Sequence, residues 1–144
     1  MLMKILRHIL TIVLFLWTIL LFGQPIDSKK NCTSTFDSIS KRTIYIVVDT
    51  MPEFPGGNDS LKKFIKNNLV WPKTEADFQG TVYISLIVEP DGSLTNKSVL
   101  RGLYEPANKE ALILIDKMPK WKAGKCKGRT VPVRYYIPVN FILY

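Results

Sequence analysis

Few residues in this sequence are suited to covalent chemistry. It holds one histidine, His8, and two cysteines, Cys32 and Cys126. His8 lies in a segment that reads as an export signal, so the exported part has no histidine, and Ser–His and Cys–His pairs are excluded there. The acids Asp49, Glu53, Asp59, Glu75, Asp77, Glu89, Asp91, Glu105, Glu110 and Asp116 are scattered, and Glu75/Asp77 and Glu89/Asp91 flank turns. Solvated carboxylates are the ordinary reading of that placement, and a carboxylate-pair hydrolase is a remote one. No metal-ligand spacing occurs. The run Gly124-Lys125-Cys126-Lys127-Gly128-Arg129-Thr130 invites a phosphate-loop reading and fails it. Ala123 stands where that motif needs glycine, and Arg129 where it needs lysine. The chain is read as a non-enzyme with no cofactor and no metal.

Charge is the stronger signal. Net charge is +8, or +6 without Lys4 and Arg7 of the first 23 residues. Seven basic residues fall within 117–134: Lys117, Lys120, Lys122, Lys125, Lys127, Arg129 and Arg134. A solvated loop is the plain reading. The functional one makes Lys120, Lys122, Lys125, Lys127 and Arg129 a contact for an acidic partner, either a protein domain or a cell-wall polymer. Nucleic acid is set aside, because the chain is exported and the strand after the loop lacks the aromatic spacing of an RNA reader.

The elements that must carry these residues fall in sequence order. Residues 9–23 are uncharged and almost wholly apolar, after a basic start. Fifteen helical residues span about 22 Å, short of a roughly 30 Å hydrocarbon core. Residues 1–23 are therefore a signal peptide or a short membrane anchor, and the remainder is periplasmic or faces the periplasm. Residues 24–49 read as a polar linker, with a short strand fitting 43–48, and 50–144 as the domain. Two prolines and two glycines in 49–57 make an extended collar. A helix follows, with Asn58, Asp59 or Ser60 as cap and Leu61, Phe64, Ile65 and Leu69 on one face. It ends before Trp71-Pro72. Val82, Ile84, Leu86 and Val88 alternate along a strand, and Pro90-Asp91-Gly92-Ser93 turns it back. A second helix starts near Pro106 with the stripe Ala107, Ala111, Leu114, Ile115, Met118. Trp71 and Trp121 read as core. Cys32 falls in unpatterned sequence, so the cysteines read as two free thiols or an intermolecular link, although export permits their bond.

The last strand, 133–143, contains Pro138. A residue's N–H and C=O point to one flank of its strand and its neighbours' to the other. Proline belongs on the unpaired flank of an edge strand. The odd residues should therefore pair with 81–89. The even ones, Arg134, Tyr136, Pro138, Asn140 and Ile142, should form an open, peptide-binding edge. Protection against aggregation is one use of such a proline, and capture of a partner peptide as an added strand is the other. Three antiparallel strands with two helices packed on one face, preceded by an apolar helix, make an α+β fold that closes a core.

Taken in order, MPEFPGG at 51–57, Trp71-Pro72, QGTVYISLIVEPDGSL at 79–94, NKEAL at 108–112, MPKWKAGK at 118–125 and VPVRYYIPVNFIL at 131–143 resemble the C-terminal domain of TonB-family energy transducers. The resemblance covers roughly residues 50–143. It implies two helices on a three-stranded antiparallel sheet. It also implies binding of an extended segment, the TonB box, of an outer-membrane TonB-dependent transporter beside the last strand, in support of energised transport. The implied partners are that transporter and the proton-driven motor of the inner membrane. Two features depart from the family pattern. The spacer of residues 24–50 reaches at most about 90 Å extended. His8 precedes the apolar run, which has no serine before a membrane histidine. The alternative is a structural envelope module that forms a homodimer or contacts the cell wall.

Overall fold

The computed structural model describes residues 32–73 and 78–142. The expected N-terminal apolar helix lies outside these residues. Among the described residues, no helix is long and apolar enough to cross a membrane.

The turn-forming run 90–93 joins two strands, β3 (Gly80–Val88) and β4 (Leu94–Arg101), as an antiparallel hairpin. Gly92 is fixed by two constraints. Its φ is +83°, and a Cβ there would lie 2.1 Å from the Trp121 carbonyl oxygen. That closeness lets the Trp121 N–H donate to the Gly92 carbonyl at 2.8 Å, which ties the turn to the chain leaving the second helix. The last strand, β7 (Val133–Phe141), pairs antiparallel with β3 in unbroken register from Gly80↔Phe141 to Val88↔Val133.

Two helices cover one face of this sheet. Helix α1 (Gly57–Asn68) is entered through Gly56 in the left-handed region, and it has no side-chain cap. The expected caps Asn58, Asp59 and Ser60 all fall inside its first turn. It stops at Leu69, which is extended, ahead of Trp71-Pro72. Helix α2 (Glu105–Asp116) has Pro106 in its first turn, where the missing N–H costs nothing. Its Ala107, Ala111, Leu114 and Ile115 are fully buried on Val82, Ile84, Leu86, Ile137, Val139 and Phe141. Trp121 is buried in the same core, edge-on to Phe54 and Tyr135. Trp71 packs edge-on to Phe141 at 5.7 Å.

The sheet is larger than three antiparallel strands. Residues within the stretch read as linker form β1 (Thr33–Asp37) and β2 (Arg42–Val47), an antiparallel hairpin. The result is a mixed five-stranded sheet of order β1-β2-β7-β3-β4, with β2 parallel to β7. A short second sheet pairs β5 (Lys125–Cys126) with β6 (Arg129–Thr130). β2 coincides with the short strand fitted to 43–48, while β1 and the pairing escape pattern reading because little apolar burial holds the hairpin. Ile44 is fully buried, whereas Phe36, Ile39, Ile46 and Val47 are exposed. Polar and covalent ties hold it instead. Arg134 of β7 donates to the buried Asp37 at 2.5 Å, and Arg42 forms an ion pair with Glu89. Cys32 is bonded to Cys126, with Cα atoms 6.0 Å apart. The cysteines are thus neither free nor linked between chains. Val48, Cys126 and Val133 close a small second core around that bond.

Candidate functional site

The two flanks of β7 differ. Pro138 stands opposite Tyr83 in the β3–β7 register. Antiparallel pairs alternate between those that exchange both main-chain bonds and those that exchange none. Lacking an N–H, Pro138 belongs to the second kind, so the even residues direct their polar groups away from β3. A neighbouring bond agrees with this parity. The carbonyl of Pro132, also even, accepts the Tyr45 N–H of β2 at 2.9 Å.

β7 is therefore not the edge strand expected from its proline. It lies mid-sheet, but β2 meets it only at Tyr45↔Val133. Among the described residues, no strand pairs with the outer flank beyond that point, and Tyr136, Pro138, Asn140 and Ile142 are exposed. The chain resolves the proline problem by closing the start of the flank and leaving open the part where proline stands. Arg134, grouped with these residues by parity, has a different position. Its guanidinium is engaged by Asp37 under the hairpin.

Helix α1 faces the open part of the flank. Together they bound a groove of about 740 Å³. Leu61, Lys62, Ile65, Lys66 and Leu69 line one wall, and Tyr136, Pro138, Asn140 and Ile142 the other, with Trp71, Tyr135 and Ile137 also lining it. Helical spacing explains the wall, since i, i+4 and i+8 share a face. No residue of α1 is fully buried. Its apolar stripe is shared: Phe64 stacks on Phe54 at 5.5 Å in the core, while Leu61, Ile65 and Leu69 border the groove. Sequence reading placed the stripe on one helix face without dividing it between core and groove. Its signal was the shortage of apolar positions on α1 compared with α2.

The five residues of the basic loop separate into two groups. Lys120 is paired with Asp91 at 2.6 Å and Lys122 with Glu53 at 2.8 Å. Lys125, Lys127 and Arg129 lie on the β5–β6 hairpin, are exposed, and form no ion pair among the described residues. The nearby Asp49 carboxylate accepts the Lys127 backbone N–H at 2.5 Å.

The shifted titrations belong to the ties rather than to the groove. Asp37 is held below the usual carboxylate range by hydrogen bonds from the Ser40 hydroxyl and N–H, then by Arg134. Arg42 lowers the Glu89 carboxyl, with help from Thr95. Lys120 and Ser93 lower that of Asp91. Ligand atoms of Cys32, Asp49 and Cys126 lie within 4.8 Å of one another, but the disulfide takes both sulfurs.

Fold and groove together make a small domain with one strand flank and one helix face turned toward the same cleft. Residues 73–143 match the family model described as Gram-negative bacterial TonB protein C-terminal. The chain carries a TonB C-terminal-like domain, of a family of non-enzymatic periplasmic interaction domains. The matched stretch begins after the β1–β2 hairpin and α1. No curated protein and no solved structure matched the chain.

Proposed function

We propose that this domain binds an extended segment of an outer-membrane TonB-dependent transporter, the TonB box, as a strand added to the outer flank of β7, in support of energised transport. The observation that carries the reading is the main chain of Tyr136, Pro138 and Asn140, directed away from β3 into the groove under α1. Strand addition draws affinity from main-chain bonds and specificity from alternate side chains. The guest side chains nearer α1 meet Leu61, Ile65 and Leu69, so apolar residues at alternate positions suit the cleft. Pro138 offers a carbonyl and no N–H, which leaves donors at Tyr136 and Asn140.

The test is a titration of the full chain with TonB-box peptides, followed by amide NMR. The expected result is saturable shifts at Tyr136, Asn140 and Ile142, and at Leu61 and Ile65 across the groove. If no peptide moves these amides and the same strand instead mediates a concentration-dependent dimer, the structural envelope module is the correct reading.

A further inference from the structure

The Cys32–Cys126 bond has a positional consequence. Cys32 follows the apolar run 9–23 after only the eight residues 24–31. Its partner stands on the β5–β6 hairpin, flanked by Lys125 and Lys127 and paired in register with Arg129. Lys127 and Gly128 form the tip, both with positive φ, in a tight two-residue turn. The chain from residue 23 to Cys32 can span at most about 30 Å. The tether itself carries Lys29 and Lys30.

We propose that the β5–β6 hairpin is a docking face for the anionic surface of the bilayer that holds residues 9–23, and that the disulfide keeps it there. Charge and reach favour this occupant. Lys125, Lys127 and Arg129 have no acidic partner among the described residues, with Asp49 the acid beside them. Opposite charge attracts over roughly 8–10 Å in physiological salt, and so short a link lets the hairpin come within that distance. Basic clusters next to a membrane segment gain from anionic lipid in this way. The inference takes residues 1–23 as a retained anchor. It does not rest on peptide capture, because β7 leaves this hairpin at Val133 and carries its open flank away from it.

The test uses the full chain in nanodiscs of phosphatidylglycerol or of phosphatidylcholine, each doped with a gadolinium-chelate lipid. In phosphatidylglycerol, broadening of amides 125–130 should exceed that at Asn140 several-fold. It should fall by at least about an order of magnitude in Lys125→Gln/Lys127→Gln/Arg129→Gln, since each neutralised charge weakens attraction to an anionic surface several-fold and the three compound. It should also fall at high salt, while peptide-induced shifts at Tyr136 stay unchanged and mass confirms the disulfide. The proposal is overturned by equal broadening in phosphatidylcholine or in the triple variant. It is also overturned if chain recovered from cells lacks residues 1–23, or if this hairpin captures an acidic protein or wall polymer while leaving the lipid untouched.

Discussion

The inner flank of β7 is bonded to β3 along its whole length, and its odd side chains form the core with α2. The outer flank is bonded to β2 at one register position and otherwise faces a cleft. One strand thus serves stability on one side and recognition on the other. The alternation of main-chain direction keeps the two from interfering, so a change that is ruinous at an odd residue is tolerable at the next even one.

The largest effect concerns what closes the start of the outer flank. Cys32→Ser/Cys126→Ser removes a link between residues 94 apart, and about 4–5 kcal/mol of stability should go with it in the chain-entropy account. Urea unfolding measures this. A small loss would mean that the β1–β2 hairpin holds itself in place. Next, Val139→Pro takes a donor from the β3 ladder and leaves its acceptor unpaired, which should cost about 1–3 kcal/mol, whereas Asn140→Pro, on the open flank, should cost less. Asn140→Pro removes an outward N–H and the bond from Thr81, so it should weaken peptide binding at least about tenfold. Calorimetry on the folded variant reads this, and equal destabilisation by the two prolines would defeat the parity assignment. Leu114→Ala, beneath the sheet, should cost about 3 kcal/mol. Leu61→Ala, on the groove wall, should cost about 1 kcal/mol and appear mainly as weaker peptide binding.

The smallest effect is with acid. The folded-state pKa values of Asp37 and Glu89 are depressed. Their stabilisation is complete above the unfolded values of about 3.9 and 4.3, and is lost as pH falls below about 5 through the folded values. The urea midpoint should drop over that range. Arg42→Gln should flatten the drop, while Lys62→Gln on the groove wall should not.

Much of the molecule can be read from sequence alone. Alternation in 81–88, the helical stripe 107–115 and the turn at Gly92 each follow from a local rule, and β7 declared both its buried face and its odd donor. Of the β1–β2 hairpin only β2 showed itself, as the short strand fitted to 43–48. The hairpin's exposed Phe36, Ile39, Ile46 and Val47 break any two-residue pattern, Lys41 supplies the positive φ that glycine or asparagine usually signals, and its ties run to Glu89, Cys126 and Arg134. Such long-range partners leave no periodic trace. The groove was half legible: parity gave the strand side, but the α1 side required knowing which part of its apolar stripe the core leaves uncovered.

The parallel contact of β2 with β7 also orders events in time. The Tyr45 N–H has no acceptor on β7 until Pro132 has been delivered, so the β1–β2 hairpin, early in the chain, is among the last elements to dock. Contacts of such long sequence separation are slow to form. Residues 33–47 can pair with one another early, but the hairpin they form must wait undocked until residues 126–134 are in place, and oxidation of Cys32 becomes a marker that the fold is finished.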